Sequence, residues 1–414
     1  MENPVSMLSV AEAKQRILAK IKLLDPERVP LAKAVGRVLA SPGTAEFDLP
    51  PFPNSAMDGF AVRSKDVATA TRDHPVNLKI IADIPAGGFS SGIVGAGEAM
   101  RIMTGAALPD GADAVIPVEE TDFASRQAGA QLPKEVRFYS PVDPGSAIRP
   151  RGQDVRAGET VLEVGRKLRP QDIGLLSMLG ISQVSVYRRP RVALFSTGDE
   201  LVPVDEPLSA GKIHDANSSI LTALATQAGG EALFLGVAHD EEADVRLFLE
   251  RGEALEVDLI VSSAGVSVGA FDFVRAVVEQ EGTLDFWRVN MRPGKPIAFG
   301  DFHGIPFWGL PGNPVSAFVG FEVFVRPAIQ RMIGLPDERR RVRVHLAETL
   351  ESDGRENYLR AVVDFSNWTA SLTGHQGSGN LRSLVQANAL IIIPSAVKSL
   401  PAGTEVEAWL LEYY

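Results

Sequence analysis

The residues best suited to chemistry lie in two loops rich in glycine and proline, Met291-Arg-Pro-Gly-Lys-Pro296 and Gly309-Leu-Pro-Gly-Asn-Pro-Val-Ser316. The first joins a stiff turn to two cations, Arg292 and Lys295. The second reads as a helix start, with Pro314 suited to the first helical position and Asn313 to the cap before it. A helix N-terminus presents unpaired N–H groups and a partial positive charge, so the pair of loops reads as a corner that holds an anion. Taken singly, either is equally an ordinary connecting turn.

A second set of residues fits phosphate and metal handling. In Ser196-Thr-Gly-Asp-Glu200, Ser196, Thr197 and Gly198 suit phosphate contacts, while Asp199 and Glu200 suit a Mg²⁺ that neutralises phosphate charge. An acidic turn capping a helix has the same composition. Asp240, beside His239, either joins this carboxylate group or is a surface acid. Ser263-Ala-Gly-Val-Ser-Val-Gly269 offers Gly265, Ser267 and Gly269 as a phosphate cradle, without the P-loop spacing or its Lys-Ser/Thr ending. Asp272, three residues on, suits a helix cap as well as a metal. Pro50-Pro-Phe-Pro-Asn-Ser-Ala-Met-Asp-Gly-Phe60 is either a stiff lead-in or a rigid arm presenting Asn54, Ser55 and Asp58. Thr104 and Arg101 add a hydroxyl and a cation beside Gly105. The six histidines show no zinc-ligand spacing, and no Gly-x-Ser-x-Gly elbow supports a serine hydrolase.

These loops need a scaffold, and the apolar pattern supplies one. It predicts strands at 192–195, 232–237 and 258–262 and helices at 218–227, 241–251 and 272–281. Such alternation means a doubly wound, open parallel sheet with helices on both faces, whose ligands sit beyond the carboxyl ends of the strands. All four Gly-, Pro- and charge-rich segments then fall at one sheet edge. Residues 8–40 are helical in character, with Ser9 able to cap. Short strands and Gly/Pro turns follow, and helical spacing returns near Pro170. The division expected is a helical linking domain at 1–45 and 150–185, an inserted β-rich domain at 46–149, an α/β domain at 186–335, and an all-β, barrel-like domain at 336–414.

Composition narrows the function class. At 414 residues the chain exceeds one hydrophobic core. Its net charge of −11 argues against nucleic acid and requires any anionic substrate to meet a local cationic pocket. With no cysteine, disulfides, zinc–thiolate sites and thiol catalysis are excluded, and a cytoplasmic setting is expected. The first residues do not form a secretory signal. Ala389-Leu-Ile-Ile-Ile393 is too short to span a bilayer and reads as a buried strand, so no membrane association is expected.

Asn54-Ser-Ala-Met-Asp-Gly59, Arg101-Ile-Met-Thr-Gly-Ala106, Pro190-Arg-Val-Ala-Leu-Phe-Ser-Thr-Gly-Asp-Glu-Leu201, Gly265-Val-Ser-Val-Gly269 and the two opening loops carry a resemblance. In that order they resemble the molybdopterin molybdenumtransferase family of MoeA type, whose eukaryotic counterpart is the gephyrin E domain. The resemblance implies an elongated four-domain subunit in a cytosolic homodimer. It implies insertion of molybdate into adenylylated molybdopterin with release of AMP, assisted by a divalent cation, usually Mg²⁺. Molybdopterin adenylyltransferase and molybdoenzyme maturation proteins are the expected partners.

Carried onto this chain, it places Asp58 and Thr104 on the β-module side of a cleft. Glu200, Asp240 and Asp272 become acidic positions for metal and nucleotide, with Glu200 and Asp272 the metal ligands. Arg288, Arg292 and Lys295 form a cationic wall, and Pro311 and Pro314 shape the last loop. Arg288 and Arg292 stand where a frequent form has lysine, exchanging a point charge for a planar fork. Ala264 replaces a common glycine, His214 a common tyrosine, and Phe271-Asp272 a more acidic or tyrosine-bearing run. Two other readings are an adenylyltransferase, which resembles the α/β domain alone, and a gephyrin-like scaffold. The additional domains argue against the first, and the lack of a fused second enzyme domain argues against the second.

Overall fold

The run Val192-Ala-Leu-Phe195 is apolar at every position because its strand is buried on both faces. Val192 and Leu194 enter one core, and Ala193 and Phe195 enter another on the opposite face. The computed structural model describes residues 7–125, 131–263, 268–337 and 339–411, with the backbone alone at 124–125 and 268–272. The chain divides into two units. One gathers the segment through Ala40, Gly165–Arg169 and the chain from Ser185 onward; the other gathers Ser41–Val164 and Pro170–Val184.

In the first unit, α1 (Val10–Lys20) begins at a capping box in which Ser9 and Glu12 satisfy each other's backbone N–H. Helical character stops at Lys20, earlier than the sequence suggests, because Pro26 and Pro30 bracket a short strand instead. The α/β part follows as β1 (Arg191–Thr197), α2 (Ala216–Ala228), β2 (Glu231–Ala238), α3 (Glu242–Ala254), β3 (Leu259–Ser263), α4 (Val268–Glu281), β4 (Gly282–Phe286), β5 (Ala298–Phe302), β6 (Ile305–Leu310) and α5 (Pro314–Gly320). The strand order is β2-β1-β3-β6-β5-β4. The sheet is mixed rather than wholly parallel: β5 alone runs against its neighbours β6 and β4, so β4 keeps the direction of the parallel strands. The segments after β1, β2, β3, β4 and β6 therefore leave the same edge, as the sequence pattern requires.

A π-helical segment, Phe321–Val325, joins α5 to α6 (Arg326–Met332). Val10, Ala13 and Ile17 of α1 share one core with Phe321, Phe324 and Ile329 from this far end of the chain. The final part is a barrel of β7 (Arg341–Leu346), β8 (Glu356–Asp364), β9 (Thr369–Leu372), β10 (Ala389–Ile393) and β11 (Glu405–Leu410), closed in the order β8-β9-β7-β11-β10-β8. Ala389, Ile391 and Ile393 fill it, as a buried strand should.

The second unit holds a five-stranded sheet in which Gly59–Val62 lies between Ala114–Pro117 and Glu98–Ile102. Phe60 packs edge-on to Phe138 at a centroid distance of 5.6 Å. At Gly59 a Cβ would stand 2.1 Å from the carbonyl oxygen of Ile116, so only glycine lets these strands approach. That close approach fixes the neighbouring Asp58 at the strand's start.

Candidate active site

The loop Arg292–Pro296 follows β4 and also touches the barrel. Met291 and Arg292 pair with Glu356 and Asn357 of β8, so the cationic turn is held from two sides. Gly294 has φ +103°, which lets the turn place Arg292 and Lys295 on either side of it. The second loop ends as its residues demand, with Pro314 at the first helical position and Asn313 at the cap. Asn313 makes no side-chain capping bond; its side chain lines a cleft instead.

That cleft, of about 690 Å³, lies between these loops and the barrel. Arg292, Lys295, Pro311 and Ser316 line one side, and Arg355, Arg360 and Ser378 line the other. Lys295 is exposed, and its ammonium has no partner among the described residues. Arg292 is partly neutralised by Asp353 at 3.3 Å, which is held well below the usual carboxylate range chiefly by Arg355. Arg288 is exposed and does not line this cleft, whereas Arg292 and Lys295 do.

The strongest cation is one the sequence reading missed. Arg360 is 1% exposed and pairs with no carboxylate among the described residues. Its guanidinium donates to Ser383 Oγ at 3.1 Å and to the Gly377 carbonyl at 3.0 Å. Burial lowers its pKa to about 10, still far above neutrality. A buried charge without a counter-charge is costly, and an anion in the cleft would relieve that cost. Gly374-His-Gln-Gly-Ser-Gly379 is the loop that covers it. Gln376 bonds both the N–H and the carbonyl of Arg360, at 2.9 and 3.1 Å, much as a neighbouring strand would.

Further along the sheet edge lie the acidic positions. Strand β1 continues through Ser196 and Thr197, both buried, so the turn itself begins at Gly198. Gly198 has φ +143°, and a Cβ there would meet the Glu200 carboxylate at 2.7 Å. Asp199 accepts from His239 Nδ1 at 2.9 Å, which lowers the Asp199 pKa and raises that of His239. Asp240 is pushed above the usual range by burial, then by Asp199 and Glu200. These carboxylates therefore do form one group.

The same edge concentrates buried polar atoms that lack a hydrogen-bond partner among the described residues: Ser196 Oγ, Ser262 Oγ, Asp215 Oδ2, Asn217 Oδ1 and Asp240 Oδ1. Native interiors leave few such atoms, and a ligand that brings donors and acceptors satisfies them. Asn217, also missed in the sequence, ties two loops together. Its Nδ2 donates to Ser263 Oγ at 2.6 Å and to the Gly312 carbonyl at 2.7 Å. His214, at a position noted for its departure, donates from Nε2 to the Glu206 carbonyl, 2.9 Å away.

Gly265 and Ser267 lie outside the described residues, as does Ala264. Gly269 falls in α4, and so does Asp272, whose side chain is likewise outside the description. Among the described residues no group of three or more acids and histidines is spaced to hold a metal ion. Asp58 and Thr104 belong to the second unit, where Asp58 accepts from both the N–H and the hydroxyl of Thr104 at 2.7 Å. These bonds hold the exposed Asp58 ionised, below its ordinary pKa. Ser55 is buried beside it and donates to the Met57 carbonyl, while Asn54 Oδ1 is buried without a partner among the described residues.

A pH prediction arises from Asp240. Its folded pKa lies above the unfolded one, so the folded state binds that proton more tightly. The group's contribution to stability then falls as pH rises from the ordinary aspartate range through the raised value. Asp240→Asn is expected to melt about 2 °C higher than the parent at pH 7 in chelator, on the scale of partly exposed charge interactions. The gap should close near pH 4; a gap that is constant or reversed across this range would remove the strain assigned to Asp240.

Comparisons with known proteins cover nearly the whole chain. Residues 8–180 match the MoeA N-terminal region (domains I and II), 193–331 a probable molybdopterin binding domain, and 343–411 the MoeA C-terminal region (domain IV). Molybdopterin molybdenumtransferase 2 of Mycobacterium tuberculosis is 39% identical over 97% of this chain and 99% of its own. Molybdopterin molybdenumtransferase of Bacillus subtilis is 34% identical, over 98% and 94%. The crystal structure of the molybdopterin biosynthesis MoeA protein of Pyrococcus horikoshii superposes with a TM-score of 0.83 at 32% identity, covering 99% of this chain and all of that one. Fold, full-length similarity and the arrangement of the loops together place the chain: it belongs to the MoeA family of molybdopterin molybdenumtransferases.

Proposed function

We propose that this chain inserts molybdenum from molybdate into adenylylated molybdopterin and releases AMP. The observation that carries the reading is Arg360, a buried guanidinium without a carboxylate partner among the described residues, facing a cleft shared with Lys295. The cations suit an incoming oxyanion, and the unsatisfied polar edge suits a pterin and its phosphates. A water or molybdate oxygen attacks phosphorus, and the phosphoanhydride bond to AMP breaks. Glu200 and Asp272 are the acids that would hold a Mg²⁺, and Asp240 beside Glu200, with its raised pKa and unpartnered oxygen, also fits a cation. When bound, that ion would withdraw charge from the phosphates. The test is to supply purified protein with adenylylated molybdopterin, with and without molybdate. AMP release with formation of the molybdenum cofactor is expected. Consumption of ATP with unmodified molybdopterin would instead make it an adenylyltransferase.

We further infer a cytoplasmic homodimer in which Asp58 and Thr104 of one chain complete the site of its partner. No helix among the described residues is long and apolar enough to cross a membrane, and the chain has no cysteine, both compatible with that setting. An adenylyltransferase would supply the substrate, and molybdoenzyme maturation proteins would take the product. Asp58→Ala and Glu200→Ala, each inactive alone, are expected to regain about a quarter of parental activity when mixed and reassembled. In such a heterodimer one site carries both lesions and the other none, with half the molecules heterodimeric at random assortment. Verified heterodimers that stay inactive would eliminate a site shared between chains.

A further inference from the structure

Helix α2 leaves the catalytic edge at its cap Asp215 and runs back against the strands, ending at Ala228. Its length carries it about 20 Å, to the opposite edge of the sheet. There a depression of about 180 Å³ is lined by three basic residues, Arg37, Lys167 and Arg189, with Tyr187, Thr226 and Gln227 beside them. No carboxylate among the described residues lines it.

Arg37 is only 9% exposed, and its guanidinium is fixed by the Tyr187 carbonyl at 2.9 Å and by an ion pair with Glu27. Glu27 balances one charge. Lys167 and Arg189 have no side-chain partner among the described residues, which leaves two positive charges around one hollow. In a chain of net charge −11, cations grouped without a counter-charge repel one another and call for a bound anion. The helix ends here rather than begins, so no array of free backbone N–H groups assists, and recognition rests on side chains. The hollow is large enough for a phosphoryl group with a few attached atoms.

We propose that this hollow binds a phosphate dianion, either free phosphate or the phosphate of a small monoester. Arg37 and Arg189 would offer planar forks and Lys167 a point charge. The site is separate from the catalytic cleft and independent of the function proposed above. Inorganic phosphate and glycerol 2-phosphate would be titrated at low salt by calorimetry into the full-length parent, Lys167→Ala/Arg189→Ala and Lys295→Ala. A phosphate site that weakens at least tenfold in the double variant and persists in Lys295→Ala is expected. Both substituted residues are exposed, so the double variant should melt as the parent does. Equal binding of the two probes identifies free phosphate as sufficient, whereas tighter binding of the ester identifies a phosphorylated small molecule. The proposal is overturned if the parent binds neither probe, if the double variant binds as the parent does, or if only Lys295→Ala loses binding.

Discussion

Arg360→Ala is expected to lower the molybdate-dependent rate by roughly 10²–10³-fold, the loss seen when a preorganised donor to a developing oxyanion is removed. The side chain is already oriented by Ser383 and the Gly377 carbonyl before any ligand arrives, so its charge costs no reorganisation on binding. Truncation also strands those buried partners, at about 1–3 kcal/mol of stability. Arg360→Lys separates the two effects, since it keeps a charge but loses the fork. It should fold, turn over slowly, and need a higher molybdate concentration for half-maximal rate. If Arg360→Lys melts normally and shows parental molybdate dependence, Arg360 serves only to pin its covering loop.

Glu322→Ala should produce the largest loss of stability, about 3–5 kcal/mol, because it breaks a buried ion network from its centre. Glu322 is 1% exposed and lies in the π-helical segment. It accepts from Arg339 Nε at 2.7 Å and faces Arg326 at 3.7 Å, both guanidiniums themselves buried. Arg339 also donates to the Leu410 carbonyl at 2.5 Å, so one carboxylate links the helix to the barrel's last strand. Burial lowers the Arg326 pKa to about 10 even with Glu322 beside it, and removing that carboxylate takes away the charge that favours the buried cation. A fall in melting temperature of roughly 10 °C is the expected reading. A loss below 1 kcal/mol would show that the network is solvated and contributes little.

Much of this architecture was legible in the residues. Alternating apolar runs identified the α/β part, Ser9 marked the start of α1, and Pro314 the start of α5. The reversed strand β5 was missed in the expectation of a parallel sheet: His303-Gly304 is a two-residue loop, with φ values of +50° and +85° in the structure, too short for any crossover and suited to a hairpin. Arg360 was not legible. In Tyr358-Leu-Arg-Ala-Val-Val363 an arginine out of phase with the barrel core reads as a solvated outer face. Only the tertiary placement of Gln376 and Gly377 over it makes the position buried. Asn217 escaped for a similar reason. It sits one residue inside a helix, where asparagine usually signals a cap, and its partners lie 46 and 95 residues away.

The sharing of one core by α1 and the helices around Phe321–Met332 bears on synthesis. Residues of the second unit emerge from the ribosome as a nearly continuous block, and their partners are all translated by Val184. That unit has what it needs to fold early. Helix α1 emerges before it, yet its apolar face finds no native cover until the segment around Phe321 has been made. At about 5–20 residues per second, the wait lasts roughly 15–60 s. During that interval Val10, Ala13 and Ile17 are an exposed stripe on the nascent chain, the place where a chaperone would be expected to bind.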